Sequence, residues 1–393
     1  MLAGEYDGGF LGGKLANISV SDCFLQSLFF NYSRMGYPDT FEGYAVTDTN
    51  QWNTVKKIEF KPKPFGPKDV DIKIIACGVC GSDVHTVCGG WGKPNLPVIP
   101  GHEIVGTVVK VGAEVSSQYR IGDRVGVGAQ VGACLECETC LENNETYCPD
   151  WVDTYNDFYP DGSQTWGGYS SHIRVHEHFV FPIPEKLQTN DVAPMLCAGI
   201  TTYSPLVRNG AGPGKKVGII GIGGLGHFAI MFAKALGAEV YTFSRTNSKK
   251  EDALKLGTDH FIATYEEKDW ATKYARKLDL IISCGNSSKN FDLDGYLKCL
   301  RVHGKLVSVG LPEEPFNISP ATFIKNGSLL GSSHLGNRQE MLDMLNLAAE
   351  KGIKSWHEDL KVGEEGISEA LKRCHENDVR YRFVLTDYDA KFA

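Results

Sequence analysis

Four cysteines stand close together at Cys134, Cys137, Cys140 and Cys148, a C-x2-C-x2-C-x7-C run. Four thiolates at this spacing can enclose one zinc ion as a tetrahedron, a closed structural site that folds a loop unable to bury a core of its own. Disulfides are the alternative, one that a reducing compartment disfavours. A second set of donors is dispersed: Cys80, then His102 with Glu103 beside it, then Cys197. Two thiolates and one imidazole leave the fourth position of a zinc ion open, as catalysis needs. Spacing alone does not join these three segments, and a lone His or Cys is more often plain structure than a ligand.

A third signal is Gly221-Ile222-Gly223-Gly224-Leu225-Gly226, which fits G-x-G-x-x-G. It follows the apolar strand Val217–Ile220 and opens a helix, the context in which the motif binds a dinucleotide. Gly221 permits the tight turn, Gly223 admits a pyrophosphate, and Gly226 lets helix and strand pack closely. The pyrophosphate would rest on free N–H groups at the helix N-terminus. The end of the next strand reads Ser244-Arg245-Thr246-Asn247-Ser248-Lys249, with no acid to hold the ribose 2′-hydroxyl of NAD. Ser244, Arg245 and Lys249 suit a 2′-phosphate, so NADP(H) is the expected cofactor; a solvated basic turn is the bland alternative. Beside such a site an iron–sulfur cluster on the four cysteines would have no evident role, although their spacing partly resembles ferredoxin runs.

The elements that must position these groups fall into two textures. From Phe41 to about Ile183 short β-like runs alternate with Gly and Pro, among them Asp71–Ala76, Ile104–Val111 and Arg124–Val131. From about Asp191 short apolar strands (Val217–Ile220, Val240–Phe243, Phe261–Ala263, Leu280–Ser283, Leu306–Val309) alternate with helical stretches, the βαβ signature of a doubly wound parallel sheet. Leu225, Phe228, Ala229, Phe232 and Leu236 form an apolar stripe at helical spacing in the first crossover. A helix from Gln339 to about Lys351 leads into a tail ending in the β-like run Arg382–Leu385. The expected fold is α/β. Residues 1–34 form an extension, disordered or absent from the mature chain; 35–187 form a β-rich catalytic domain; 188–336 form a Rossmann cofactor domain; 337–393 return to complete the catalytic domain.

Bulk properties fit a globular enzyme. The 393 residues suffice for two domains, and hydrophobic and charged fractions of 42% and 22% are ordinary. A net charge of -8 argues against nucleic acid or an anionic membrane as partner. No run of 18 apolar residues appears. The N-terminus carries Glu5 and Asp7 and lacks the pattern of a secretory signal, so a cytoplasmic location is expected. Cys23, Cys88, Cys284, Cys299 and Cys374 show no partner pattern, and Cys77 reads as a buried strand cysteine.

Gly101-His102-Glu103-x2-Gly106-x5-Gly112, together with the four-cysteine run and the glycine motif in this order, resembles the zinc-containing medium-chain dehydrogenases from about Tyr37 to near the C-terminus. Ala76-Cys77-Gly78-Val79-Cys80-Gly81-Ser82-Asp83, Trp166-Gly167-Gly168-Tyr169 and Asp378-Val379-Arg380-Tyr381-Arg382-Phe383 resemble the cinnamyl alcohol dehydrogenase branch, including its fungal NADP-dependent enzymes. The resemblance implies a GroES-like catalytic domain, a catalytic zinc on Cys80, His102 and Cys197, and a homodimer. It implies that Glu103 either coordinates when substrate is absent or anchors the site, and that a proton relay runs from Ser82 through the cofactor ribose to His85. Thr201 would hold the nicotinamide face, Arg380 would contact cofactor phosphates, and Trp91 would line a pocket friendly to aromatic rings. The reaction implied is hydride transfer between NADPH and aldehydes to give primary alcohols, with two zinc ions per chain. A polyol-type zinc dehydrogenase and a non-catalytic NADPH-binding protein are the rival readings.

Overall fold

The computed structural model describes residues 38–392, so the expected extension over 1–34 lies outside the described residues. A hairpin of Phe41–Val46 and Val55–Phe60 opens the described chain. The long strand β1 (Asp69–Val79) follows. It is almost wholly buried because neighbours flank it on both sides. Its C-terminal end runs into the short helix α1 (Gly81–Val87). Strand β2 (Glu103–Val111) returns antiparallel to β1, pairing Glu103 with Gly78, and β3 (Arg124–Val127) pairs with β2. Strands β4 (His172–His176) and β5 (Phe181–Pro182) pair with β1 and β3.

The run expected to extend from Arg124 to Val131 is broken in two. After β3 the chain turns away at Gly128, and Gln130–Gly132 pairs with Val152–Asp153 instead. The cause is local: a side chain at Gly128 would lie 2.7 Å from the Leu196 carbonyl oxygen, and the Gly128 carbonyl accepts from Thr154 Oγ1 at 2.6 Å. The bend delivers the chain to the four-cysteine lobe.

The buried helix α2 (Ala198–Arg208) leads to the second sheet. Its six parallel strands are β6 (Lys216–Ile220), β7 (Glu239–Ser244), β8 (His260–Ala263), β9 (Leu278–Ser283), β10 (Leu300–Ser308) and β11 (Leu329–Ser332), ordered β8-β7-β6-β9-β10-β11. Order reverses between β6 and β9, the switch point where such sheets bind ligands at their strand C-termini. Helix α3 (Gly226–Ala235) joins β6 to β7 and buries Phe228, Ala229 and Phe232 of the expected stripe. Helix α4 (Lys250–Leu256) follows β7.

Helix α5 (Arg338–Lys351) starts at a capping box, in which Asn337 accepts from the Glu340 N–H and Glu340 accepts from the Asn337 N–H. It ends at Gly352 with φ +66°, and Met341, Met344, Leu345 and Ala348 form its buried stripe. Strand β12 (His357–Lys361), helix α6 (Glu364–His375) and strand β13 (Arg382–Thr386) then return the chain to the first sheet. There β13 pairs antiparallel with β1, matching Phe383 with Val79.

Arg338 ties this return to the first sheet. Its N–H donates to Glu145 Oε1 at 2.6 Å, its Nη1 to the carbonyls of His178 and Val180, and its Nη2 to the Tyr119 hydroxyl at 2.7 Å. Arg338→Ala strands several acceptors at once. It is expected to lower the unfolding free energy by about 1.5–3 kcal/mol, the range for a hydrogen bond to a charged group, measurable as a lower denaturant midpoint at unchanged m-value.

Candidate active site and metal centres

The three dispersed donor segments meet at the C-terminal end of β1. Cys80 follows β1 directly, His102 and Glu103 open β2, and Cys197 precedes α2. One ligand atom from each of Cys80, His102, Glu103 and Cys197 lies within 4.8 Å of the others, and all four residues are buried. The Cys80 and Cys197 sulfurs are 3.9 Å apart. Donors about 2.3 Å from a tetrahedral zinc have edges of about 3.8 Å, so the pair fits a shared metal. His102 Nε2 and Glu103 Oε2 are buried and have no hydrogen-bond partner. Buried polar atoms are rarely left so, and a cation answers both.

Asp83 builds the scaffold beneath this cluster. It sits in the first turn of α1, fully buried, and its Oδ2 accepts from the Cys80 N–H at 2.8 Å and the Tyr169 hydroxyl at 3.0 Å. Its Oδ1 accepts from the Gly101 N–H at 2.9 Å. One carboxylate thus fixes the backbone at Cys80 and next to His102. Arg382 is the other support: its guanidinium pairs with Glu103, both side chains being buried. A side chain on Gly224 would stand 2.8 Å from Arg382 Nη1, so the same guanidinium lies against the glycine motif. The Cys80 thiol is held well below its usual range, chiefly by the Cys197 thiol, with burial opposing and Arg382 assisting. Its partner Cys197 is pushed well up by that hydrogen bond and by burial. Burial pushes Glu103 up to about 8 against the pull of Arg382.

Cys134, Cys137, Cys140 and Cys148 converge in the second cluster. Their closest sulfur separations are 3.5, 3.9 and 4.0 Å, tetrahedral edges again and no disulfide. The N–H groups of Glu136 and Cys137 hold the Cys134 thiol down at about 7. Cys77 lies buried within β1, outside both clusters, where burial pushes its thiol well up.

The glycine motif forms the opposite wall. Gly221 takes φ +88°, and a side chain on Gly226 would lie 1.9 Å from the Gly221 carbonyl oxygen. Nothing stands within 4 Å of the side-chain position of Gly223, the open face a pyrophosphate needs. Ser244 ends β7, Arg245 follows it exposed, and Lys249 Nζ donates to the Ile222 carbonyl at 2.8 Å, inside the motif. Arg380 pairs with Asp252 of α4. Buried His227 sits beneath the motif, and burial pushes it down to about 3, so it stays neutral.

Between the two walls lies a cleft of about 810 Å³, bordered by Ser82, His85, Trp91, Thr201, Gly223 and Leu225 among others. Ser82 Oγ is 3.5 Å from Cys80 Sγ. Ser82 and His85 are three apart on α1 and so share a face. His85 stacks on Trp91 with ring centroids 4.8 Å apart, and its Nδ1 lies 2.9 Å from Glu313 Oε1. Sequence reasoning assigned no role to Asp83, Arg382 or Glu313. The available signal for Arg382 was a charge opening an apolar strand, which must find a buried partner.

Residues 66–185 match the alcohol dehydrogenase GroES-like domain, and residues 224–350 match the zinc-binding dehydrogenase domain. NADP-dependent alcohol dehydrogenase 6 of Saccharomyces cerevisiae is 49% identical over 91% of this chain and 100% of its own length. A cinnamyl alcohol dehydrogenase structure from Sorghum bicolor superposes with a TM-score of 0.84 at 35% identity, covering 90% of this chain and 99% of the other. The Helicobacter pylori CAD structure in complex with NADP(H) superposes with a TM-score of 0.80 at 35% identity, covering 88% and 98%.

Asp83→Asn turns an N–H toward backbone donors. Zinc in the Cys80 cluster is expected to bind roughly 10–100-fold more weakly, the usual cost of losing such a support. The four-cysteine metal should remain. Zinc content per chain after graded chelation reads both sites, and simultaneous loss of both metals would count against the assignment.

Proposed function

The chain belongs to the zinc-containing medium-chain alcohol dehydrogenases, and on that footing we propose that it interconverts aldehydes and primary alcohols with NADP(H), cinnamyl-type aromatic aldehydes among them. The observation that carries this reading is the convergence of Cys80, His102, Glu103 and Cys197 at the floor of a cleft whose other wall is the glycine motif. The donor set fits a catalytic zinc and the four-cysteine lobe a structural one. Zinc, when bound, supplies a Lewis acid for the carbonyl oxygen. Reduced nicotinamide, when bound, supplies the hydride.

The chain's own residues supply the rest. Gly221, Gly223, Gly224, Leu225 and Gly226 receive the pyrophosphate, and Ser244, Arg245 and Lys249 the 2′-phosphate. Thr201 borders the cleft where the nicotinamide would lie. Ser82, beside a metal ligand, is placed to hold the proton that the product oxygen needs. His85, on the same helix face and nearer solvent, exchanges protons with water. Glu103, one of the clustered donors, is held by Arg382 in a buried ion pair. Arg380, held by Asp252 close to the basic turn, adds positive charge for phosphate. Trp91 offers a flat apolar face at the mouth to an aromatic substrate.

The functional unit proposed is a homodimer. Among the described residues β11 has β10 as its one strand neighbour, leaving an open sheet edge. Leu311, Ile324 and Leu329, nearby in sequence, are 60%, 82% and 57% exposed. An unpaired edge with exposed apolar residues is suited to a second copy. No helix among the described residues is long and apolar enough to cross a membrane. The ligand thiols must stay reduced, which suits the cytoplasm.

Two outcomes test this. NADPH should be oxidised rapidly with cinnamaldehyde and NADH much more slowly. Cys197→Ala should cut kcat/KM by roughly a thousandfold, the several kcal/mol a metal contributes; turnover of ketoses but not aldehydes would move the substrate to the polyols. Separately, Leu329→Glu with Ile324→Glu should shift the native mass from two chains to one in size-exclusion light scattering. A double variant that keeps the wild-type mass would exclude this edge as the interface.

A further inference from the structure

We propose that Glu313 is a positioning residue for proton transfer: it reaches across the cleft from the cofactor half and fixes the ring orientation and tautomer of His85. This rests on the reading of His85 as the group that exchanges protons with water.

The geometry is specific. His85 lies on α1 of the catalytic half, and Glu313 lies on the segment after β10 of the cofactor half. The His85 Nδ1 to Glu313 Oε1 distance is 2.9 Å. An ionised carboxylate can only accept, so Nδ1 carries the hydrogen and Nε2 is left as the site that gains and loses a proton. Trp91 stacks on the ring with an interplanar angle of 13°, fixing its plane while Glu313 fixes its edge. Room for the carboxylate comes from Gly90: a side chain there would lie 2.4 Å from Glu313 Oε1 and 3.3 Å from His85 Nδ1. The pair joins the two halves, so the proton-exchanging ring is oriented only while they face each other as here. A carboxylate that orients a catalytic histidine through its second nitrogen is a general device for selecting one tautomer. The pair is partly exposed, with side chains 23% and 51% accessible, so its value lies in orientation and not in stability.

The test is a double-mutant cycle on the zinc-loaded enzyme. Glu313→Ala is expected to lower kcat about tenfold, part of the 10²–10⁴-fold that general acid–base catalysis supplies. KM for NADPH and zinc content should stay unchanged, and the solvent deuterium isotope effect on kcat should rise. Glu313→Gln, which keeps an acceptor, should fall between. Gly90→Ala, which crowds the carboxylate without removing it, should reproduce part of the loss. In a His85→Ala background, Glu313→Ala should add nothing further. If His85→Ala leaves kcat unchanged, the relay reading itself fails. If His85→Ala slows turnover while Glu313→Ala does not, or if the two losses multiply, Glu313 does not act through His85 and the proposal is overturned.

Discussion

Everything around the cleft depends on how charge is balanced in a fully buried joint. Cys80, Cys197, Asp83 and Glu103 are four acidic groups packed together, and the cations among them are Arg382 and His102, whose imidazole burial pushes down but Cys80 and the carboxylates raise to about 9. Low dielectric makes such an excess of negative charge untenable. In the metal-free chain the hydrogen bond to Cys80 and burial push Cys197 well up, and burial pushes Glu103 up to about 8, so both favour their protonated forms. A divalent cation would do the same work, so metal uptake and proton release are two sides of one balance. Burial pushes Asp83 up as well, although it accepts from two backbone N–H groups and a tyrosine hydroxyl.

Backbone geometry explains how the ligands come to be there. The antiparallel pairing of β1 and β2 sets Gly78 opposite Glu103, so Cys80 and His102 emerge at the same end of adjacent strands. Cys197 arrives at the start of α2, packed under the same sheet end. Asp83 then ties the Cys80 and Gly101 backbones together. The ligand positions follow from strand register.

That dependence also marks what could be read from the sequence. The four-cysteine cluster and the glycine motif were legible because their residues are contiguous, so local spacing carries the chemistry. The parallel strands were legible because burial on both faces leaves short apolar runs. The dispersed cluster was not: only a resemblance joined Cys80, His102 and Cys197, because nothing local encodes the register that unites them. The break at Gly128 escaped notice because its cause, the Leu196 carbonyl, lies far along the chain. Arg382 and Glu313 escaped for the same reason.

Arg382 shows why the chain must return late to its first sheet. Strand β13 follows the cofactor strands in chain order and pairs with β1, and it brings one guanidinium between the two walls of the cleft. One side of that group meets Glu103 below the metal ligands, and the other meets Gly224 of the glycine motif. A dinucleotide entering over the motif would place its negative charge beside the cation that balances Glu103. The topology that makes the sequence hard to read, with distant segments meeting at one buried joint, is what brings one guanidinium against both walls.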